Sequence, residues 1–374
     1  MRLSATWASS SVSGDNRDLE PLRQRIDAID RQLVQLLNER AQCALDVGHI
    51  KQQQAGETAA FFYRPERVAQ ILDKLKAINP GPLSHADLAH LYREILSCCL
   101  NLEQPMTVAY LGPAGTYTQA ATVKQFGHFV RTVPMISIDE VFREVEAGAV
   151  HYGVVPVENS TEGMVNHTLD CFMTSALRIC AEVELPIHQC LMQRGDDTSF
   201  DEILSHAQSL AQCRSWLDQH HPNVTRTVVA SNGEAARLVA EQHGKAAVAG
   251  EAAAELYGLR IVARNIEDQP DNKTRFLIIG KQEVGPSGRD KTSILVSTRN
   301  EPGALFRVLE PLQKQGISLT RIETRPARAG NWSYVFFIDF DGHATDAPVR
   351  AALDAVRDVA LAVRVLGSYP QARS

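Results

Sequence analysis

A chain of 374 residues is too long for one ordinary core, and 44% hydrophobic with 22% charged residues is the make-up of a globular protein of two or three domains. A net charge of −6, from 38 basic and 44 acidic residues, argues against a general nucleic-acid footprint, and no apolar run reaches membrane-spanning length. Seven scattered cysteines without a Cys-x-x-Cys pair argue against a disulfide framework or structural zinc and fit a reducing cytoplasm.

Residues 1–18 are Ser-rich, lack a secretory apolar core and read as a disordered tail. From 19 to 104 the pattern is helical. Leu22, Ile26, Ile29, Leu33, Leu36, Leu37, Ala44, Val47 and Ile50 predict a first helix longer than about thirty residues. A second starts near Pro65 and ends before Asn79-Pro80-Gly81-Pro82, and a third runs from a Ser84 cap to about Glu103. Two shorter helices cannot cover so long an apolar stripe, which implies a dimer with the long helices paired, or a tetramer of two such dimers.

From 105 to 283 strands and helices alternate, with strands expected at 107–111, 152–157, 184–192, 203–206, 227–230, 246–249 and 276–280. That alternation predicts parallel sheets in two doubly wound lobes with a ligand cleft between them. A polar linker, 284–290, leads to a last segment, 291–370. Strand 291–298, helix 303–315, strands 317–325 and 332–340, helix 347–358 and strand 361–366 spell the βαββαβ order of a ferredoxin-like unit.

The first helix carries Arg23, Arg40 and Lys51. Arg40 and Lys51 fall about 20° apart around it, whereas Arg23 lies about 260° round and about 25 Å along the axis from Arg40. One small ligand cannot meet all three from one helix, so if all serve substrate, Arg23 serves the partner chain's site. A solvated basic face is the plain alternative.

In the middle segment, GVVPVENSTEGMVNHTLD (153–170) is a short strand that breaks into Glu158-Asn159-Ser160-Thr161-Glu162-Gly163 before a helix. Polar strand ends before helix starts build small-anion sites in α/β folds, though Asn, Ser and Thr are also ordinary caps. Three more polar turns join it: Gly112-Pro113-Ala114-Gly115-Thr116, Ser205-His206 and Asn272-Lys273-Thr274-Arg275-Phe276. Neither a Walker pattern nor GxGxxG is present, which argues against a nucleotide.

LRQRIDAIDRQLVQLLNERAQCALDVGHIK, FFYRPER and LYREILSCCLNLEQ resemble the all-helical chorismate mutase family. The resemblance implies that Arg23 and Arg40 hold the two carboxylates of chorismate with Arg67 nearby, and that Lys51 donates to the ether oxygen. The second donor to that oxygen maps to Glu103, which can donate only when protonated. A pericyclic rearrangement needs compression of the substrate and charge stabilisation, not a nucleophile. Val68 departs from the family's Glu at the substrate hydroxyl, and Glu66 is displaced by two positions.

GPAGTYTQAA, VVPVENSTEG, SHAQSLAQC, AAVAGEAAAELYGL and NKTRFLIIG resemble the prephenate dehydratase family in order and spacing. That likeness implies a fold similar to type II periplasmic binding proteins, with prephenate in the cleft. It makes Thr274 the residue most tied to catalysis and Arg275 a carboxylate ligand. Glu158 is the second candidate for proton delivery, with Thr116, Asn159, Ser160, Ser205, His206 and Ser231 as further prephenate contacts. Glu301-Pro302-Gly303-Ala304-Leu305 and Arg321-Ile322-Glu323-Thr324-Arg325-Pro326 resemble an ACT regulatory domain. By that resemblance Gly303, Ala304, Leu305, Glu323 and Arg325 would bind phenylalanine as a feedback inhibitor. The expected whole is a cytoplasmic two-reaction enzyme with no metal and no cofactor. A ligand sensor without catalysis, and a helical segment serving only dimerisation, are the rival readings.

Overall fold

The computed structural model describes residues 19–55, 61–326 and 334–372, so the tail expected at 1–18 lies outside the described residues. The chain divides into two compact units, Met1–Ala60 and Phe61–Ser374. The first holds helix α1 (Glu20–Ala55), 36 residues and about 54 Å long. Leu22, Ile26, Ile29, Leu33 and Leu36 recur along it at three- and four-residue spacing and are all exposed.

The second unit begins with α2 (Pro65–Ile78) and α3 (His85–Glu103). Pro65 occupies a first-turn position where its missing N–H costs nothing. Ser84 Oγ caps α3 by accepting the Asp87 N–H at 3.0 Å. Both helices pack on the α/β segment. The buried Tyr63 ring lies 4.8 Å from Phe126 and 5.4 Å from Tyr152, and Val68 and Leu100 pack against the same cluster.

The α/β segment has two lobes. The first contains β1 (Thr107–Leu111), β2 (Arg131–Met135), β3 (Tyr152–Asn159), the short β4 (Gly163–Met164), β5 (Arg178–Pro186) and β11 (Lys273–Gly280), ordered β2-β1-β3-β11-β5 with β4 on β3. Helices α4 (Tyr117–Phe126), α5 (Ile138–Ala147) and α6 (Asn166–Thr174) belong to it. The second contains β6 (Cys190–Gln193), β7 (Glu202–Ser205), β8 (Thr225–Val228), β9 (Lys245–Ala249) and β10 (Arg260–Ala263), ordered β10-β6-β9-β7-β8. Its helices are α7 (Ala207–Gln212), α8 (Arg214–His220), α9 (Asn232–Glu241) and α10 (Glu251–Tyr257).

Both sheets are mixed, not parallel throughout. β1 runs parallel to β2 and β3, and β7 to β8 and β9, but β11 is antiparallel to β3 and β5 and β6 to β9 and β10. The chain leaves the first lobe after β5 and returns through β11, which enters that sheet from the opposite end. The stretch expected as one strand at 184–192 is this crossing, split between β5 and β6. The pattern also misses β2, which contains Pro134, and the four-residue β10.

The C-terminal strands β12 (Asp290–Thr298), β13 (Leu319–Pro326), β14 (Tyr334–Asp341) and β15 (Ala362–Pro370), with α11 (Ala304–Lys314) and α12 (Ala347–Val359), follow the expected βαββαβ order. Their antiparallel sheet, β13-β14-β12-β15, buries the helices on one face. Its other face lies on the first lobe, where Val335, Phe337, Leu366 and Tyr369 are buried with Ile179 and Leu277. β15 approaches β5 so closely that a Cβ on Gly367 would fall 2.2 Å from Ile179 O, which only glycine avoids. The segment 284–290 is pinned: Val284 is buried, and Asp290 accepts the Ser287 N–H at 2.8 Å, the Ser287 hydroxyl at 2.7 Å and the Gly288 N–H at 3.1 Å.

Candidate active site

Helix starts from both lobes bound the cleft. Thr116 caps α4, accepting the Gln119 N–H while its hydroxyl reaches Pro113 O at 3.0 Å. Ser231 Oγ caps α9 through the Glu234 N–H at 3.1 Å, and His206 Nδ1 caps α7. The lobes touch across the opening. Gln212 Nε2 donates to Thr161 Oγ1 at 3.1 Å, and Tyr257 OH donates to Ala114 O at 3.3 Å.

At the β3 end, Asn159 Nδ2 donates to Thr274 Oγ1 at 2.8 Å. Asn159 Oδ1 in turn accepts Thr161 N at 3.0 Å, Thr161 Oγ1 at 2.6 Å and Glu162 N at 3.2 Å. Three donors to one oxygen determine which end of the amide faces Thr274. Because Thr274 Oγ1 accepts from Asn159, its own proton stays available to a third group. Ser160 stitches the same corner: its Oγ donates to Asn272 Oδ1 at 3.2 Å and accepts the Lys273 N–H at 2.9 Å.

β3 and β11 are paired with Thr274 opposite Asn159 and Arg275 opposite Glu158. Successive side chains on a strand point to opposite faces. The Asn159–Thr274 pair therefore takes one face and the Glu158–Arg275 pair the other, toward the C-terminal sheet. The expectation that Arg275 binds a substrate carboxylate is not met in this structure. Its side chain is 6% exposed, with Nε on Glu182 at 2.7 Å, Nη1 on Asp339 at 2.7 Å and Nη2 on Tyr369 OH at 2.9 Å. Lys291 Nζ adds a second cation on Glu182 at 2.8 Å, and Ser293 Oγ donates to Asp339 at 2.6 Å.

Two carboxylates and two cations thus share a buried seam. Burial pushes the Glu182 and Asp339 carboxyls up, but Arg275, helped by Lys291 at Glu182, outweighs it and holds both below their ordinary range. Burial disfavours the Arg275 charge too, yet Tyr369, Asp339 and Glu182 raise its pKa well above the usual value.

Glu158 likewise turns away from the cleft and ion-pairs with Arg321 of β13. Arg325, expected to touch phenylalanine, instead binds Asp170 on α6 at 2.7 Å. Between them Glu323 is half-buried and makes no hydrogen bond or ion pair among the described residues. Gly303 starts α11 with φ of +76° and is exposed, Ala304 is half-buried, and Leu305 packs on the helix–sheet core. Ser205, expected as a prephenate contact, is fully buried, its Oγ donating to Val248 O at 2.6 Å with Asn232 Oδ1 3.0 Å away. It supports the cleft from behind.

On α1, Arg23 is exposed, and Arg40 and Lys51 both have partners. Arg67 is exposed on α2, and Glu103, at the end of α3, is half-buried. Val68 packs on the dehydratase-like core, where a glutamate would be buried against apolar side chains. The sequence reading gave Arg321 no role of its own and missed Asp339. Arg321, Glu323 and Arg325 alternate on one strand face, and Asp339 interrupts the apolar run Phe336-Phe337-Ile338-Asp339-Phe340, which marks a buried acid needing a partner. Asn272 had no role in that reading; it is 2% exposed, and its Nδ2 has no partner among the described residues. Asp139, His167 and Cys171 could reach a common metal ion on the α5–α6 surface, but His167 Nε2 and Cys171 Sγ both engage Asp139.

Residues 22–104 match the family model for chorismate mutase type II, 108–284 that for prephenate dehydratase and 292–358 that for the ACT domain. A bifunctional chorismate mutase/prephenate dehydratase from Pseudomonas aeruginosa is 56% identical over 362 residues, 96% of this chain and 99% of that one. The Aquifex aeolicus protein of the same description is 43% identical over 360 residues, 95% and 98% of the two chains. Among solved structures, prephenate dehydratase in complex with L-Phe from Arthrobacter aurescens aligns at a TM-score of 0.67 and 36% identity, covering 71% of this chain and 90% of that one.

Proposed function

The chain belongs to the bifunctional chorismate mutase/prephenate dehydratase family, and we propose that Thr274 and Asn159 are the working pair of its second reaction. The enzyme isomerises chorismate to prephenate and converts prephenate to phenylpyruvate, CO2 and water. In the second step the ring–carboxylate bond breaks, its electron pair enters the ring, and the ring hydroxyl leaves, taking up one proton to become water. Aromatisation drives the step, so the protein has to grip the anions and ease departure of the hydroxyl.

The observation that carries this reading is the 2.8 Å contact from Asn159 Nδ2 to Thr274 Oγ1, which frees the threonine proton for the departing oxygen. Thr is a poor acid, so Thr274 orients and hydrogen-bonds the leaving group and the net proton comes from solvent. Thr116, Ser160, His206 and Ser231 face the substrate from polar turns, and helix starts favour its carboxylates. Glu158, paired with Arg321, is a link to the regulatory sheet and not the proton donor.

Phenylalanine is the feedback inhibitor in this reading, by analogy with the Arthrobacter protein solved with L-Phe. Gly303, Ala304 and Leu305 present the α11 start to its carboxylate, and the unpartnered Glu323 suits its ammonium. β13 then transmits the event, because Arg321 and Arg325 on either side of Glu323 hold Glu158 and Asp170 of the first lobe.

For the mutase reaction Arg23, Arg40, Lys51, Arg67 and Glu103 remain the assigned residues by family pattern. The exposed apolar stripe of α1 is covered by the same stripe of a second copy, giving a homodimer, and Arg23 serves the partner's site. No described helix is long and apolar enough to cross a membrane, and seven cysteines without a disulfide fit a cytoplasmic enzyme. Incubating the protein with chorismate and following prephenate and phenylpyruvate, with and without phenylalanine, tests the whole reading. A chain that consumes chorismate but leaves prephenate untouched sinks the dehydratase assignment.

A further inference from the structure

Helix α3 and the two lobes meet around a pocket lined by none of the residues assigned above to either reaction. It has a volume of about 580 Å3 and opens between α3, α4 and α10. One side is apolar, with Ala120 and Val123 of α4 facing Leu256 of α10. The other side is lined by Arg93 of α3 and Lys124 of α4, which also border a smaller pocket beside it, next to Val68 and Glu184.

Arg93 is half-buried and makes no hydrogen bond or ion pair among the described residues. Lys124 Nζ donates only to a backbone oxygen, Glu184 O, at 2.8 Å. Burial lowers the pKa of both, and Arg93 lowers that of Lys124 further. Of the acids nearby, Glu94 is spent on His128 at 2.9 Å, Glu255 is exposed on the α10 rim, and Glu184 is exposed beside Lys124, where its charge offsets part of that lowering. A half-buried arginine without a counter-ion, next to a lysine and an apolar wall, is stabilised by an anion that carries a ring.

We propose that this seam binds a ring-bearing carboxylate lacking an ammonium group, the class of molecule that the two reactions hand along. Its carboxylate meets Arg93 and Lys124 and its ring lies on Val123 and Leu256, away from Glu255. An amino acid is rejected, because its ammonium would be held near two like charges. The ligand rests on α3, which lies in the mutase-like region, and on α4 and α10 of the two lobes. Occupancy therefore couples the mutase segment to the relative position of the lobes. The chemistry of the ligand rests on the function proposed above; the unpaired cation does not.

Calorimetry of the full chain with phenylpyruvate tests the site. Wild type should take up one equivalent more per chain than Arg93→Gln/Lys124→Gln, since the dehydratase cleft binds the product in both. Leu256→Trp, which fills the apolar end and leaves both cations, should lose the same equivalent. Dehydratase turnover with added prephenate should stay within about twofold of wild type in both variants and certifies folding. Equal stoichiometry in all three proteins overturns the site. A phenylalanine titration that also loses an equivalent in the variants overturns the ligand class. Absence of prephenate turnover in wild type strikes the proposed function, while the stoichiometric difference still reads the seam.

Discussion

Thr274 and Arg275 are neighbours on β11, yet one pairs with Asn159 at the end of β3 and the other is locked in the seam to the regulatory sheet. Thr274 Oγ1 accepts from Asn159 at 2.8 Å, while Arg275 reaches Asp339 and Glu182 at 2.7 Å each. The residue proposed for the chemistry and a residue held by the C-terminal sheet are thus one peptide apart.

Replacing Thr274 by valine removes the hydroxyl and keeps the shape. Dehydratase kcat should fall at least about 10²-fold, the usual scale for losing one donor to developing charge, with mutase turnover unchanged. Steady-state assays with chorismate and with prephenate separate the two, and a Thr274→Val enzyme with full dehydratase turnover removes Thr274 from the mechanism.

Arg275→Ala should destabilise the second unit by about 3–5 kcal/mol, because Asp339 and Glu182 are left as buried charges short of a partner. Thermal unfolding reads this. A variant of unchanged Tm whose only defect is a raised KM for prephenate would instead make Arg275 a substrate ligand.

The seam also gives stability an acid limb. Asp339 and Glu182 have folded-state pKa values below their unfolded values of about 4, so the unfolded chain binds more protons there. Their contribution is complete above about pH 5 and is lost as pH falls through the folded values. Tm of wild type should drop steeply below about pH 4, and Asp339→Asn should show a smaller drop from a lower plateau. Parallel Tm profiles for the two proteins would exclude the seam as the source.

Arg321→Met keeps the aliphatic stem and cuts the tie to Glu158. Phenylalanine should then inhibit the dehydratase at least about fivefold less well, the low end of allosteric coupling, with uninhibited turnover close to wild type. Gly303→Ala, forced to hold φ of +76°, should weaken inhibition in the same direction. If Glu158→Gln abolishes turnover without phenylalanine present, Glu158 belongs to the chemistry after all.

A carboxylate at position 103 can donate to the ether oxygen only while it keeps its proton. Glu103→Gln, which always carries a donor, should therefore keep mutase turnover, whereas Glu103→Ala should lower mutase kcat by about 10²-fold, the scale for losing one donor. Steady-state assays with chorismate compare the two, and full turnover in Glu103→Ala removes Glu103 from the mutase site.

The long α1 helix, the βαββαβ unit and the polar turns at Thr116, Asn159, His206 and Thr274 were legible because each rests on local information: an apolar period, a cap or a turn residue. The mixed sheets were not, since the direction in which β11 enters the first lobe depends on the chain having crossed to the second lobe and returned. Val68 reads as a missing mutase glutamate until the core against which it packs is seen.

The chain's own residues determined the family, the two reactions and the motif Asn272-Lys273-Thr274-Arg275-Phe276. Only the tertiary structure decided which of those side chains meet the cleft. Strand alternation sends Thr274 and Arg275 apart, and the pairing of β11 with β3 settles which face is which. Charges 64 and 163 positions apart in the chain, Arg275 with Asp339 and Glu158 with Arg321, find each other only because the regulatory sheet packs on the first lobe. A linear motif records neither that packing nor the desolvation that makes these pairs matter.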